Sequence, residues 1–451
     1  PAAQAGANAL ACHEPPAWST GVQGRDHGPC TSPDTLAHFP AVAGQPAMTV
    51  SNFGLIVPGT TAGKVDYVCD DVFDRSDPTR IRRSPSGTIF IPNDEGLITS
   101  SDGCSFTTGS ADLRGNHILN VAIDAKSPNV VYALGGVPRT LWRSEDGGKT
   151  FAVRHRFAAD LLLDGLVLPP GRTTQIYVFG AVRTDTSPVW ISEDDGVTFT
   201  LRDPAKSLET RLASGLEFLA ADPVRPEVLY FTVIRTEGDE LWRTSDGGKT
   251  VSRLLQMGDS DALSGLAFGA GPNDLYVAGK AILFEAGKPP GKLYVSRDGG
   301  QTWAAPIPSG AAGPHYNCLA YDQGRLYACS LNRGSRDDAL LSVSTDEGRT
   351  WQPVSRLVDV AGPKACVAEA CQAVAGWLCN KFTHCTEGVI PNGDAGAPDA
   401  PFDAGRRDTG FAVDETDDGG CGCRVGGKSG DRGLAWLALF LGFVAYRRFR
   451  R

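Results

Sequence analysis

An eight-residue turn motif recurs along this chain, and its period constrains the fold more than any other feature. The full copies are SEDGGKTF (Ser144 to Phe151), SEDDGVTF (Ser192 to Phe199), SRDGGQTW (Ser296 to Trp303) and STDEGRTW (Ser344 to Trp351). TSDGGKTV (Thr244 to Val251) ends on valine, and SSDGCSF (Ser100 to Phe106) is one residue short, with Cys104 near the glycine position. The shared aspartates, Asp102, Asp146, Asp194, Asp246, Asp298 and Asp346, stand 44, 48, 52, 52 and 48 residues apart. That spacing accommodates about four short strands and their turns. An apolar run centred on Phe90, Tyr132, Tyr177, Tyr230, Tyr276 or Tyr327 precedes each copy, so a second feature repeats in step with the first. Each unit therefore reads strand, strand, strand, turn, strand. Units of this kind cannot bury their apolar faces alone and must pack in a row or a ring.

The chemistry inside the turn is local. Ser144, Ser192, Ser296, Ser344 and Thr244 carry hydroxyls that can bond to their own turn, as can the aspartates two residues on. The glycines open backbone conformations closed to other residues. The closing aromatic then starts the next strand as an apolar plug. Six acids repeated once per unit read as scaffold rather than as catalysts or calcium ligands.

This pattern resembles the BNR or Asp-box repeat of β-propellers found in sialidases, sortilin-type receptors and photosystem assembly factors. The resemblance spans residues 45–360 and implies an all-β propeller. Six boxes predict six blades. The strand-like stretch Met48 to Pro58 either closes the last blade or begins a seventh, and six is the reading adopted.

The 451 residues suffice for a large core, and 54 glycines with 30 prolines suit a turn-rich all-β chain. Net charge is −9. The linker Pro391 to Gly420 and the basic tail from Arg424 nearly cancel, which leaves the body acidic and argues against nucleic acid or an anionic membrane as partner. The seven histidines are scattered without ligand spacing, so neither a metal nor a cofactor is expected. Asp70, Asp71, Asp74 and Asp77 read as an acidic surface loop in preference to a calcium site.

Twelve cysteines point to an oxidising compartment. Ten are disulfide candidates. Cys12 with Cys30, Cys69 with Cys104, and Cys318 with Cys329 form local pairs, the last on successive strands. Cys366, Cys371, Cys379 and Cys385 fall in an Ala-rich stretch, residues 361–388, that reads as a small helical hairpin. Their spacings of five, eight and six contain no C-x-x-C pair, which favours disulfides over zinc, with connectivity open.

The chain opens Pro-Ala-Ala-Gln-Ala-Gly-Ala-Asn, which is similar to the end of a secretory signal, and residues 1–44 read as a secreted segment. Residues 389–420 form an acidic stalk, disordered by composition. Residues 421–451 then hold Cys421-Gly422-Cys423, an apolar run from Leu434 to Tyr446, and Arg447, Arg448, Arg450 and Arg451. Thirteen apolar residues make a helix of about 20 Å, short of the roughly 30 Å hydrocarbon core. This layout resembles the MYXO-CTERM sorting signal of myxobacterial surface proteins. The resemblance implies processing by a sorting protease near Cys421 or Cys423, attachment through the tail or a lipid, and display on the outer surface of a bacterial envelope.

The expected function is a surface recognition, adhesion or scaffold module whose partner is a glycan or a protein. The alternative is a sialidase-like glycoside hydrolase. Sialidases clamp a carboxylate with arginines and use a tyrosine nucleophile with acidic partners. The segment TRIRRSPSGTI (Thr79 to Ile89) is faintly similar to their arginine-bearing R-I-P segment, with Arg80 in the corresponding place and Arg82 where the proline would stand. Tyr316 and Tyr321 read as core and rim residues of the last blade, so no catalytic residue is assigned.

Overall fold

The computed structural model describes residues 35–378 except 43–44, 74–79, 125, 170–173, 182–187, 205–216, 236, 259–260, 282–290, 310–312, 331–338, 373 and 376–377. It is a seven-bladed β-propeller, each blade an antiparallel sheet of four consecutive strands. Blade 1 comprises Thr35–Phe39, Met48–Ser51, Gly54–Pro58 and Val65–Cys69. Blade 2 comprises Arg82–Arg83, Ile89–Asn93, Gly96–Ser100 and Thr107–Thr108. Blade 3 follows with His117–Ile123, Val131–Val137, Thr140–Ser144 and Ala152–Arg156. Blade 4 holds Leu162–Val167, Ile176–Ala181, Val189–Ser192 and Thr200–Arg202. In blade 5 the strands are Glu217–Ala221, Leu229–Val233, Glu240–Thr244 and Ser252–Gln256. Blade 6 has Asp261–Phe268, Leu275–Ala281, Gly291–Ser296 and Ile307–Pro308. Blade 7 has Tyr316–Asp322, Arg325–Ser330, Ala339–Ser344 and Gln352–Arg356.

Seven blades replace the expected six. The stretch Met48 to Pro58 supplies the second and third strands of blade 1, which has no box. Its corner between the third and fourth strands closes with Gly59 N–H donating to Lys64 O and Lys64 N–H donating to Thr61 O. The propeller also starts at Thr35, ahead of residue 45, and a fifth strand, Val360–Pro363, runs parallel to Val65–Cys69 on the edge of blade 1.

The apolar core lies between blades. Phe90 and Leu97 of blade 2 pack with Val121, Ala133 and Trp142 of blade 3, and equivalent clusters join blades 3 with 4, 4 with 5, 5 with 6, and 6 with 7. The ring closes through Leu340 of blade 7, which packs with Val50, Leu55 and Val68 of blade 1 and Ile89 and Ile91 of blade 2. Tyr132, Tyr177, Tyr230 and Phe90, four of the stepwise aromatics, are almost wholly buried. Each such side chain contributes roughly 1.5–3 kcal/mol.

After Val360–Pro363 the chain makes a 3-10 turn at Ala365–Val367 and helical turns through residues 372, 374, 375 and 378. Val367, Cys371 and Leu378 pack into the blade 1 core. The remainder of the expected hairpin, with Cys379 and Cys385, lies outside the described residues. So do Cys12, Cys30, the linker, Cys421, Cys423 and the apolar run. Among the described residues no helix is long and apolar enough to cross a membrane.

Candidate functional site

All six boxes join the third strand of a blade to its fourth. In the blade 3 box, Ser144 Oγ donates to Asp146 Oδ1 at 2.7 Å, and Gly148 N–H donates to Ser144 Oγ at 2.9 Å. Asp146 Oδ1 also accepts from Lys149 N and Thr150 N, both at 3.0 Å, and Oδ2 accepts from Thr150 Oγ1 at 2.6 Å. The same set recurs around Asp194, Asp246, Asp298 and Asp346. In the short box Asp102 is served by Ser100, Cys104 and Ser105. These donors hold every box carboxyl below its ordinary range. For Asp194 the Thr198 hydroxyl and then the Thr198 N–H bring it to about 2. At Asp246 partial burial pushes upward, and the Thr250 N–H and hydroxyl overcome it, again to about 2. Six carboxylates each bonded by both oxygens to their own turn are corner fastenings.

The second glycine of the box has a further reason. Gly148 sits at φ +89, and a Cβ there would lie 2.6 Å from the Phe90 ring of the preceding blade. The box thus presses on the neighbouring blade, and its last residue completes the seal. Phe106, Phe151, Phe199, Val251, Trp303 and Trp351 each pack in the cluster shared with the preceding blade.

The position between Asp and that glycine went unread in the sequence. It is Gly147, Gly247 or Gly299 in three boxes, with φ near +70, but Asp195 and Glu347 adopt the same left-handed conformation at φ 66 and 62. Both reach back across a seam. Asp195 Oδ2 pairs with Arg143 Nε at 3.1 Å and Arg154 Nη2 at 2.7 Å, and Tyr132 donates its hydroxyl to Oδ1. Glu347 pairs with Arg297, whose guanidinium lies 5.0 Å over the Tyr276 ring. Backbone strain at a non-glycine residue is tolerated where a specific contact holds it.

The first strands of blades 3 and 4, of blades 6 and 7, and of blades 7 and 1 pack against one another, which places first strands innermost. Six of them carry a one-residue bulge, at Leu36, Leu119, Asp164, Leu219, Ser264 and Asn317. A bulge frees backbone groups from the ladder and re-aims a side chain. Arg80 uses two of the freed carbonyls. Its Nη1 donates to Leu119 O and Asp164 O, both at 2.9 Å, and its Nη2 meets Asp164 Oδ1 at 3.3 Å. Arg80 therefore ties blade 2 to the bulges of blades 3 and 4, with its charge matched by Asp164. On the far side, Lys280 Nζ of blade 6 donates to Asn317 Oδ1 of blade 7 at 3.4 Å.

Blades 5 and 6 share a buried polar group that the sequence reading missed. Asp239 Oδ1 accepts from Arg235 N at 3.1 Å and Oδ2 from Leu263 N at 2.9 Å. Burial raises the Asp239 carboxyl above its usual range. Nearby, Asp261 Oδ2 pairs with Lys292 Nζ at 3.2 Å and accepts from Tyr294 at 3.3 Å. A raised carboxyl beside a paired carboxylate has the asymmetry of an acid–base couple. Both Asp239 oxygens, however, accept backbone N–H bonds, one within its own blade 5 loop and one from Leu263 that latches blade 5 to blade 6.

Tyr316 is fully buried edge-on to Trp351, and Tyr321 stacks on Tyr276 at 5.8 Å, both in blade 7 rather than a sixth blade. Asp70 is buried at the start of the 3-10 turn Asp70–Phe73, while Asp74 and Asp77 lie outside the described residues. Among the described residues no three His, Cys, Asp or Glu side chains converge as a metal would require.

The disulfides rearrange the expected pairing. Cys318 and Cys329 are bonded across directly paired positions of two strands. Cys69 and Cys104 are not bonded to each other, nor are Cys366 and Cys371. Cys69 joins Cys371 and Cys104 joins Cys366, with Cα separations of 5.5 and 5.7 Å. Ring closure brings Cys366 and Cys371 to blades 1 and 2, a proximity that sequence distance hides.

A BNR/Asp-box repeat family model matches residues 294–305, the box of blade 6 with the strand end that leads into it. No curated protein sequence is significantly similar to the chain. Among solved structures, an ancestral GH74 enzyme aligns at 14% identity over 60% of this chain and 37% of its own, with a TM-score of 0.43. The GH74 xyloglucanase from Xanthomonas campestris aligns at 15% identity over 71% of this chain and 64% of its own, TM-score 0.34. YCF48 from Cyanidioschyzon merolae aligns at 15% identity over 60% and 83%, TM-score 0.42. The chain spans between 37% and 64% of the length of these two glycoside hydrolases.

Proposed function

We propose that this protein is an exported recognition or scaffold module, tethered to a bacterial envelope by its C-terminal segment and binding a glycan or protein ligand. The observation that carries the export half is covalent. Two disulfides tie residues 302 and 262 positions apart and so bind the two ends of the ring together. Disulfides of this kind form and persist in oxidising compartments. The recognition half rests on how the charged groups are used. The box carboxylates serve their own corners, and Arg80, the residue matching the sialidase arginine, meets bulge carbonyls and Asp164 instead of standing open for a substrate carboxylate. A ring this rigid is suited to presenting loops.

The tail supplies the anchor in this reading, with Cys421 or Cys423 as the processed residue, a sorting protease as the processing partner, and nucleic acid excluded as a ligand by charge. Fractionation of cells carrying the full chain or its Cys421→Ser/Cys423→Ser variant tests the location. The full chain is expected in the envelope fraction with its cysteines oxidised, and the variant is expected to be released or retained as precursor; a cytoplasmic pool with free thiols would end the proposal. A glycan array run beside a fluorogenic sialoside assay separates binder from hydrolase. Saturable binding without turnover is expected, whereas turnover lost in a folded Arg80→Ala protein would install the hydrolase reading.

A further inference from the structure

We infer that residues 357–372 are a redox-locked strap across the seam between blades 7 and 1, and that reducing its two disulfides loosens the ring at that seam while the other six hold. The argument begins with what the seam lacks. At six seams the later blade supplies a box whose closing side chain packs into the core shared with the earlier blade. Blade 1 has no box, so its seam with blade 7 has no such plug. What remains is the packing of Thr35–Phe39 on the first two strands of blade 7, with Leu340 and Leu357 in the shared core and His38 stacked 4.8 Å from the Tyr327 ring.

The strap crosses the gap from outside. It leaves the last strand of blade 7, and Lys64 Nζ of blade 1 donates to Val358 O at 3.1 Å. Val360–Pro363 then pairs in parallel with Val65–Tyr67 over only three register positions, with one irregularity, and Lys364 N–H donates to Tyr67 O at 2.8 Å. Lys364 Nζ reaches Asp102 O at 3.2 Å and Gly103 O at 3.4 Å, so the strap also docks on the box of blade 2. That box is the one shortened by a residue, and the residue breaking its pattern, Cys104, bonds the strap. The departure from the repeat is thus a docking adaptation.

Three parallel pairs and a few lysine bonds are a weak fastening, to which Val367 and Cys371, with Leu378 beyond them, add their packing in the blade 1 core. The covalent bonds change this, because each closes a loop containing most of the ring, and the entropy removed from the open chain grows with loop length. Cys69–Cys371 and Cys104–Cys366 therefore lock in place a strap that is otherwise held by a short edge pairing and a few buried side chains. Each bond forms by thiol–disulfide exchange: a cysteine thiolate attacks an oxidised small-molecule or protein disulfide, and the second cysteine displaces the carrier from the mixed disulfide. Two protons and two electrons leave per bond, the electrons ending on the carrier as a dithiol. Reduction by dithiothreitol runs the reverse, two molecules becoming cyclic disulfides as four cysteine thiols appear.

Hydrogen exchange read by mass spectrometry on the purified full chain tests this, with the oxidised protein compared with the Cys69→Ser/Cys104→Ser/Cys366→Ser/Cys371→Ser variant, which retains Cys318–Cys329. Exchange is expected to accelerate at least tenfold in Thr35–Phe39, Tyr316–Ser330 and Val360–Pro363, with blades 3 to 5 changing less than twofold. Unchanged protection at the seam, or an equal loss in all blades, would overturn the inference. Should the variant fail to fold, brief dithiothreitol treatment of the folded wild type gives the same readout. A Cys318→Ser/Cys329→Ser protein treated in parallel must still show the seam response, because a response lost there would assign the effect to blade 7 instead. The result is independent of where the protein resides, so it leaves the export proposal to its own test.

Discussion

Six seams of this propeller are closed by side chains folded in the turn, and the seventh is closed by a distant piece of chain. At the box seams the corner itself is fastened locally, with the hydroxyl, carboxylate and N–H groups and the plug all inside about eight residues. At the seam of blades 7 and 1 the fastenings are residues 262 to 302 positions apart in sequence. The difference teaches that a ring of repeats needs one element outside its own rule, placed where the chain begins and ends. Local corners tolerate variation copy by copy, as Val251 and the short box show. The closing seam has no second copy to fall back on.

The largest test of this contrast is to cut the strap. Cys69→Ser/Cys371→Ser should cost about 3–5 kcal/mol in reversible urea unfolding followed by tryptophan fluorescence. A loss below about 1 kcal/mol would make the strap an ornament.

Acid should separate the two kinds of seam. His38, buried against Tyr327 with Thr49 Oγ1 3.1 Å from its Nδ1, is lowered from 6.5 to about 4, first by burial and then by the Arg83 charge. The unfolded chain binds this proton before the folded one does, so the contribution is intact above pH 6.5 and is lost as pH falls through about 4. The full difference is about 3 kcal/mol. The box carboxyls behave oppositely in pKa origin but share the direction. Asp194, Asp246, Asp298 and Asp346 are lowered from 3.8 to about 2, so their contribution holds above 3.8 and fades only as pH falls through about 2. Stability measured from pH 7 to pH 4 should therefore decline through His38, and His38→Asn should flatten that decline. If the decline persists unchanged in the variant, the closing seam is not the acid-sensitive one.

A single corner is a smaller effect. Asp246→Ala should cost about 1 kcal/mol, by analogy with the loss of a helix cap, and hydrogen exchange should rise only in blade 5 and its seam with blade 4. Exposure spreading to blades 1 and 7 would contradict the independence of the corners. Smallest is Asp195→Gly, where relief of the positive φ offsets the lost pairs with Arg143 and Arg154. The net change should stay within about 1 kcal/mol by thermal melting.

The repeating corners were legible because each is specified by adjacent residues: Ser144, Asp146, Gly148 and Phe151 announce their turn without help from the rest of the chain. Blade 1 was not, because counting boxes counts corners, and its corner at Gly59 to Lys64 uses backbone bonds alone. The pairing of Cys69 and Cys104 was misread for a related reason. Proximity along the chain is a guide only until a ring brings residue 371 to residue 69. The inner bulges carry no composition signal, since Leu, Asp, Ser and Asn occupy equivalent places. Arg80, whose place is faintly similar to that of a sialidase arginine, therefore gave no sign in sequence that it meets the freed carbonyls of Leu119 and Asp164.

The four antiparallel strands of every blade come from one uninterrupted stretch, and only the added edge strand Val360–Pro363 on blade 1 comes from elsewhere. A chain emerging N-terminus first can thus pleat its sheets in order of synthesis, each new wedge resting on one already complete. Only the wheel's final rivets must wait, since Cys366 and Cys371 are among the last of the described residues to arrive. Biogenesis of this molecule has a definite finishing step, set by translation order and marked by the capture of two early thiols by two late ones.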